Sequence, residues 1–95
     1  MEIKRISINN GYLDSYLLDL GSKNLIILKG SRGYIMCGYL SIEAANKFND
    51  VAIKVTGVST VEELLNSSSD EVSEKAEELG IKKGQSVRDI AEKIV

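Results

Sequence analysis

Two short runs, Leu25-Ile26-Ile27-Leu28 and residues 34–40, are apolar at nearly every position. Successive side chains of a strand point to opposite faces, so a strand that is apolar throughout asks for cover on both sides. Two such strands need two apolar layers. A chain of 95 residues buries only roughly 60–65% of the surface its unfolded form exposes. Disulfides and structural metals are the usual supplements, but there is one cysteine and no histidine, which leaves association as the third. Short helices are expected to supply one layer, and the sheet of a second subunit the other.

Ile3, Ile6 and Ile8 among Lys4, Arg5 and Ser7 read as a strand with one polar side. Asn9-Asn10-Gly11 is a hairpin signal, because Asn-Gly accepts positive φ at both turn positions. A second strand runs over 12–20, with Asp14 and Asp19 on opposite faces. With the two apolar runs and the glycine turns at 21–24 and 29–33, this predicts an antiparallel meander of four strands. Ser41 is placed as an N-cap, with Ile42, Ala45 and Phe48 on one helical face and Asn49-Asp50 as the stop. Val51, Ile53 and Val55 then alternate as a fifth strand, giving a short βαβ unit expected to be right-handed. Ser59 and Thr60 precede Glu62 and Glu63 in capping-box spacing for a helix to about Leu65. The polar stretch 66–69 is expected to be mobile. From Asp70, the stripe Val72, Ala76 and Leu79 predicts a helix closed by Gly80 and a contact from Ile81 back to Ala76. Ser86 caps a last helix with Val87, Ile90, Ala91 and Ile94 at 3, 4, 7 spacing. The expected class is α/β (α+β): an N-terminal antiparallel β-meander, a short βαβ unit and C-terminal helices on a mixed sheet, in one domain over 1–95. Within it, 1–40 forms a β-rich oligomerisation region and 41–95 an α/β region.

Composition excludes more than it assigns. Without histidine there is no Ser-His-Asp or Cys-His activation and no His-dependent metal site. A single cysteine closes no intrachain bridge, which fits a reducing cytoplasm. The net charge of −2, from 12 basic and 14 acidic residues, gives no bulk attraction to nucleic acid or an anionic membrane. No run approaches the ~20 apolar residues of a membrane span, and the start MEIKRISI lacks a signal-peptide core. No metal and no cofactor is expected.

Over GYIMCGYLSIEAANKFNDVAIKVTGVSTVEELL, and again in ELGIKKGQSVRDIAEKI, the chain resembles the YunC-like family of bacterial and archaeal proteins, a domain of unknown function. The resemblance covers nearly the whole chain. It implies an α/β domain whose N-terminal β region mediates tetramer assembly, and it carries over no activity or catalytic residue.

Cys37 is the one candidate nucleophile. A helix beginning after Ser41 could lower its pKa, but with no histidine as base, burial as a small hydrophobe is the ordinary fate. Gly38 removes a side chain in mid-strand between Tyr34 and Tyr39, which admits a subunit's packing or a ligand. Gly57, Ser59 and Thr60 follow a strand and open a helix, an arrangement that can hold an anion. Self-capping competes, and the glycines and lysine of a phosphate loop are missing. Ser41 joins these as a helix-start residue. Lys23, Lys29 and Arg32 could form a basic edge for RNA or phosphate, but lack the interleaved aromatics of single-strand sites. Asp14 and Asp19 cannot pair, and the acids of the last two helices read as solvated faces. The reading is therefore a cytoplasmic, non-catalytic homo-oligomer, a tetramer built through the N-terminal strands. The alternative is a small-molecule or anion-handling enzyme with its site around Cys37, Gly38, Ser41 and the turn Gly57, Ser59, Thr60.

Overall fold

A computed structural model describes residues 1–95. It contains one six-stranded sheet whose spatial order is the order of the sequence. β1 (Glu2–Ile8), β2 (Gly11–Asp19), β3 (Asn24–Lys29) and β4 (Tyr34–Met36) form the antiparallel meander. α1 (Ile42–Lys47) crosses from β4 to β5 (Ala52–Lys54), which lies parallel to it. α2 (Val61–Leu65), β6 (Glu71–Val72), α3 (Glu74–Glu78) and α4 (Val87–Ile94) follow, with β6 antiparallel to β5. The mixed sheet, the meander and the four helices are those read from the sequence.

The register explains which side chains need cover. One row crosses the sheet as Ser15, Leu28, Ile35, Ile53 and Val72, and it lies on the side where Leu64, Ala76, Val87, Ile90, Ala91 and Ile94 of α2, α3 and α4 build the main core. The adjacent row, Ile3, Tyr16, Ile27, Met36, Lys54 and Glu71, lies on the other side. There α1 covers only β4 and β5, through a small cluster of Met36, Ala45 and Ala52. Along that row exposure rises from 1% at Met36, through half-buried Ile27 and Tyr16, to 59% at Ile3. One face of β1–β3 is open and carries this apolar row beside the charged row Arg5, Asp14 and Lys29. Leu17 pairs with Ile26 and packs against the main core, so it faces the helices, while Ile27 belongs to the open face.

Several elements depart from expectation. The fourth strand ends at Met36, and 37–40 turn away because the Leu40 N–H is bonded to the Cys37 carbonyl at 3.3 Å; Gly38 is thus in a turn rather than in mid-strand. Residues 71–72 are a strand, not the start of a helix. The Asp70 N–H reaches the Lys54 carbonyl and the Ser73 N–H the Ala52 carbonyl, both at 2.9 Å, and this edge pairing outweighs helical periodicity. Phe48 is 77% exposed, because it caps a helix of six residues too short to bring its last turn onto the sheet. Leu79, the C-cap of α3, is exposed as well. The polar stretch 66–69 is tied down: the Ser69 N–H bonds the Gln85 carbonyl at 2.9 Å, the Ser69 hydroxyl bonds the Lys82 carbonyl at 3.1 Å, and the Val87 N–H bonds the Ser67 carbonyl at 2.9 Å.

Two helix ends fold as their sequences dictate. Gly80, at φ 84°, follows α3, and the Ile81 N–H closes on the Ala76 carbonyl at 3.1 Å while Ile81 is buried. Asn49, at φ 57°, does the same for α1, with the Asp50 N–H on the Ala45 carbonyl at 2.9 Å. At the opposite end of the chain the Ile94 carbonyl of α4 accepts the Arg32 N–H at 2.9 Å, and it lies so close to Gly30 that a β-carbon there would overlap it. The last helix is thereby pinned to the β3–β4 turn.

One buried hydroxyl joins the crossover to the edge of the sheet. Ser73, fully buried, donates to the Asp50 carbonyl at 2.7 Å and accepts the Ala52 N–H at 3.0 Å and the Ala76 N–H at 3.2 Å. All the hydrogen-bonding capacity of a serine hydroxyl is used. Ser73→Ala removes the N-cap of α3 and leaves buried groups at Asp50 and Ala52 unpaired, so a loss of about 2–3 kcal/mol is expected in urea denaturation. A loss below about 0.5 kcal/mol would contradict this account.

Candidate functional site

The only parallel pair in the sheet creates the candidate site. The Val55 N–H bonds the Met36 carbonyl at 2.9 Å and the Cys37 N–H bonds the Ile26 carbonyl at 3.1 Å. Beyond these bonds the chains part, one turning through 37–40 and the other at Gly57, whose φ of 77° suits a residue without a β-carbon. Gly38 sits against Thr56, where an added β-carbon would approach the Thr56 methyl to 3.3 Å. The β2–β3 turn closes the third side: the Leu20 N–H bonds the Lys23 carbonyl at 2.9 Å and the Asn24 side-chain amide donates to the Ser59 carbonyl at 2.9 Å. The result is a cleft of about 560 Å³ between these three segments. Its size falls in the range of small-molecule sites, and its place, outside the carboxyl ends of parallel strands, is the common one in α/β proteins.

Cys37 lies at the base of the cleft, only 2% exposed, and its Sγ accepts the Ile26 N–H at 3.4 Å. Gly38, Gly57 and Ser59 line the same cleft. Ser41 and Thr60 do not. Ser41 caps α1, its hydroxyl accepting the Ala44 N–H at 3.2 Å, and it lines a separate groove with Asn46 and Lys54. Thr60 is engaged in a reciprocal capping box with Glu63: its hydroxyl accepts the Glu63 N–H at 3.0 Å, and the Glu63 carboxylate accepts the Thr60 N–H at 3.1 Å. The box takes up the Thr60 and Glu63 amides, and Ser59 too donates to Glu63, so what the 57–60 turn contributes is a wall of a cleft between loops rather than an open helix terminus.

Tyr39 and Thr56, the neighbours of Gly38 and Gly57, line the cleft as well, and Lys23 and Asn24 join them from the β2–β3 turn, which no local signal ties to this site. Lys23 does not join Lys29 and Arg32 in a basic edge: they lie at opposite ends of β3, about 20 Å apart for six extended residues. Tyr34, expected beside Gly38, instead donates its hydroxyl to Asp50 at 2.9 Å, and burial, with the Asp50 bond second, pushes its phenol up to about 12. No group of three or more Cys, Asp or Glu side chains is arranged to hold a metal ion.

One carboxylate fixes the wall formed by β5. Asp70 accepts the Thr56 N–H at 2.7 Å and the Thr56 hydroxyl at 2.9 Å. The backbone bond, then the hydroxyl bond, hold its carboxyl below the usual 3.8, with Lys83 adding a smaller push. A depressed carboxyl stabilises the fold above its unfolded pKa and loses that contribution as pH falls through the folded value. Asp70→Asn is expected to lower stability at pH 7 by about 1 kcal/mol or less, since the group is exposed and screened. Thermal unfolding should show the gap to the unaltered protein closing below about pH 4; a gap independent of pH would refute the assignment. For Cys37, alkylation by iodoacetamide is expected to be far slower in the native protein than after unfolding, and equal rates would show that the thiol is open to solvent.

Comparison with known proteins places this architecture in a family. Residues 36–94, from the end of β4 through α4, match the family model described as a domain of unknown function, DUF1805. The matched region contains both strand ends that wall the cleft but not the β2–β3 turn. The uncharacterized protein YunC of Bacillus subtilis (strain 168) is 38% identical over 74 residues, spanning 74% of this chain and 73% of that protein. A crystal structure of a protein of unknown function, TA1206 from Thermoplasma acidophilum, superposes with a TM-score of 0.95 at 37% identity, over 99% of this chain and 92% of that one. With its sheet order, its crossover and this match, the chain belongs to the DUF1805 family of YunC-like proteins.

Proposed function

We propose that the protein is a non-catalytic homo-oligomer, a tetramer, assembled through the open face of β1–β3, and that it works in the cytoplasm. The observation that carries this reading is the row Ile3, Tyr16, Ile27, Met36: α1 buries its Met36 end and nothing within the chain covers the rest. Tyr12 and Leu18, on the same face of β2, are exposed too. An apolar sheet face of this kind marks an interaction surface. A second copy is the occupant that its charges favour. In the flanking row Arg5, Asp14, Lys29 the Arg5 guanidinium already holds Asp14 at 3.0 Å, so the face presents little net charge to repel a two-fold-related copy. Tetramer assembly by the N-terminal strands is also what the family resemblance implies. The single free cysteine suits a reducing compartment, and no helix is long and apolar enough to cross a membrane.

A second reading, a small-molecule or anion-handling enzyme, is favoured by the convergence of Cys37, Gly38, Gly57 and Ser59 on one cleft. It does not compete for the same surface, since the cleft lies at the ends of β4 and β5.

Light scattering after size exclusion is expected to give about four times the chain mass of 10.4 kDa. Ile27→Glu places a charge in the middle of the open face and should yield a lower-order species. Leu17→Glu faces the helices and should unfold the chain instead. A wild-type monomer at micromolar concentration would overturn the proposal.

A further inference from the structure

The cleft at the ends of β4 and β5 has a definite electrostatic character. Of the five consecutive amides at 56–60, three are already satisfied by carboxylates. The Thr56 N–H bonds Asp70 at 2.7 Å, and the Ser59 and Thr60 N–H groups bond Glu63 at 2.8 and 3.1 Å. Between them, the N–H groups of Gly57 and Val58 meet no acceptor in the protein, and neither do those of Gly38 and Tyr39 across the cleft. All four residues line it. No acidic residue does. The one charged residue in the lining is Lys23, which takes part in no ion pair.

We propose that this cleft binds the oxyanion group, phosphate or carboxylate, of a small molecule. The proposal rests on the second reading above and names its ligand class. Lys23 supplies the countercharge, and the uncommitted amides of the two turns supply neutral donors. Hydrogen bonds to an ionised acceptor are the stronger kind, and a pair of turns rich in free N–H groups is a concavity suited to an anion. The glycines at 38 and 57 keep side chains away from the amides that do this. Tyr39 and Val58 offer apolar surface to the remainder of the ligand, within a volume fitted to a small molecule rather than a polymer. Asp70 and Glu63 stand outside the lining, each holding two donors of its own. Their charge opposes an anion, and Lys23 offsets it.

The test is a titration of the ¹⁵N-labelled full-length chain with inorganic phosphate and, separately, sodium acetate, at ionic strength held constant with sodium chloride. Saturable shifts are expected at the amides of Gly38, Tyr39, Gly57 and Val58. Lys23→Gln should weaken binding about tenfold, as befits one charge-assisted bond, and Lys23→Glu should abolish it. Both substitutions lie in an exposed turn, and unchanged shifts elsewhere verify the fold. Shifts that do not saturate, that centre on Lys82 and Lys83, or that Lys23→Gln leaves at full strength overturn the proposal. N-methylacetamide serves as a neutral probe. If it shifts the four amides and neither anion does, the cleft remains a small-molecule site and the oxyanion assignment fails; if no probe shifts them, both readings fail.

Discussion

The parallel pairing of β4 and β5 is the constraint on which the rest of the molecule depends. Parallel strands cannot be joined by a tight turn, so the chain must leave the sheet and return, and α1 is that return. The crossover puts α1 on one face, and α2, α3 and α4 fill the other. Because α1 is only six residues long, it reaches no further than β4 and β5. The open face of β1–β3 follows from that short reach. Every other strand pair is antiparallel, so this is the one place where two carboxyl ends lie side by side, and the cleft forms there.

Stability at this junction comes from polar groups as much as from apolar area. Ser73 binds the end of the crossover, β5 and the start of α3 through one hydroxyl. Asn46 of α1 accepts the Glu74 N–H at 2.9 Å and draws the same elements together. No buried side-chain polar atom lacks a partner, so none of this burial leaves an orphaned group to offset the gain. The C-terminal helix closes the other end, where Asn9 bonds Glu92 at 2.6 Å and the Ile94 carbonyl takes the Arg32 N–H. The chain is thus held at both ends of its sheet.

The open face of β1–β3 and the cleft are different surfaces, so an assembly through that face would leave the ends of β4 and β5 a separate feature. Cys37 connects them only structurally. Its backbone N–H extends the pairing with β3 while its sulfur accepts the Ile26 N–H, so it serves the architecture whether or not anything binds above it. Its burial agrees with the ordinary behaviour of a free cysteine.

The sequence by itself determined the elements whose signals are local. Thr60 and Glu63 make a capping box, and Gly80 with Ile81 closes α3, each because a few neighbouring residues contain the whole interaction. The hairpin after β1 forms as well, but its turn residues are Asn9 and Asn10, Gly11 already pairs with Ile8, and none of the three has the positive φ that the Asn-Gly signal asks for. The need for two apolar layers around the runs 25–28 and 34–40 was equally legible, since it depends only on side-chain alternation, although the strand of the second run stops at Met36. Tertiary structure alone decided the rest. Glu71 and Val72 have a helical pattern, but β5 offered them an edge with free carbonyls at Ala52 and Lys54. Phe48 and Leu79 sit on apolar stripes, yet their helices end before those stripes reach the sheet. Lys23 and Gly57 are 34 positions apart, and no local rule brings them to one cleft; only the sheet order, with β3 and β4 between β2 and β5, does so. A site assembled from three turns is invisible to periodicity because its energy lies in contacts between segments, and those exist only once the sheet has formed.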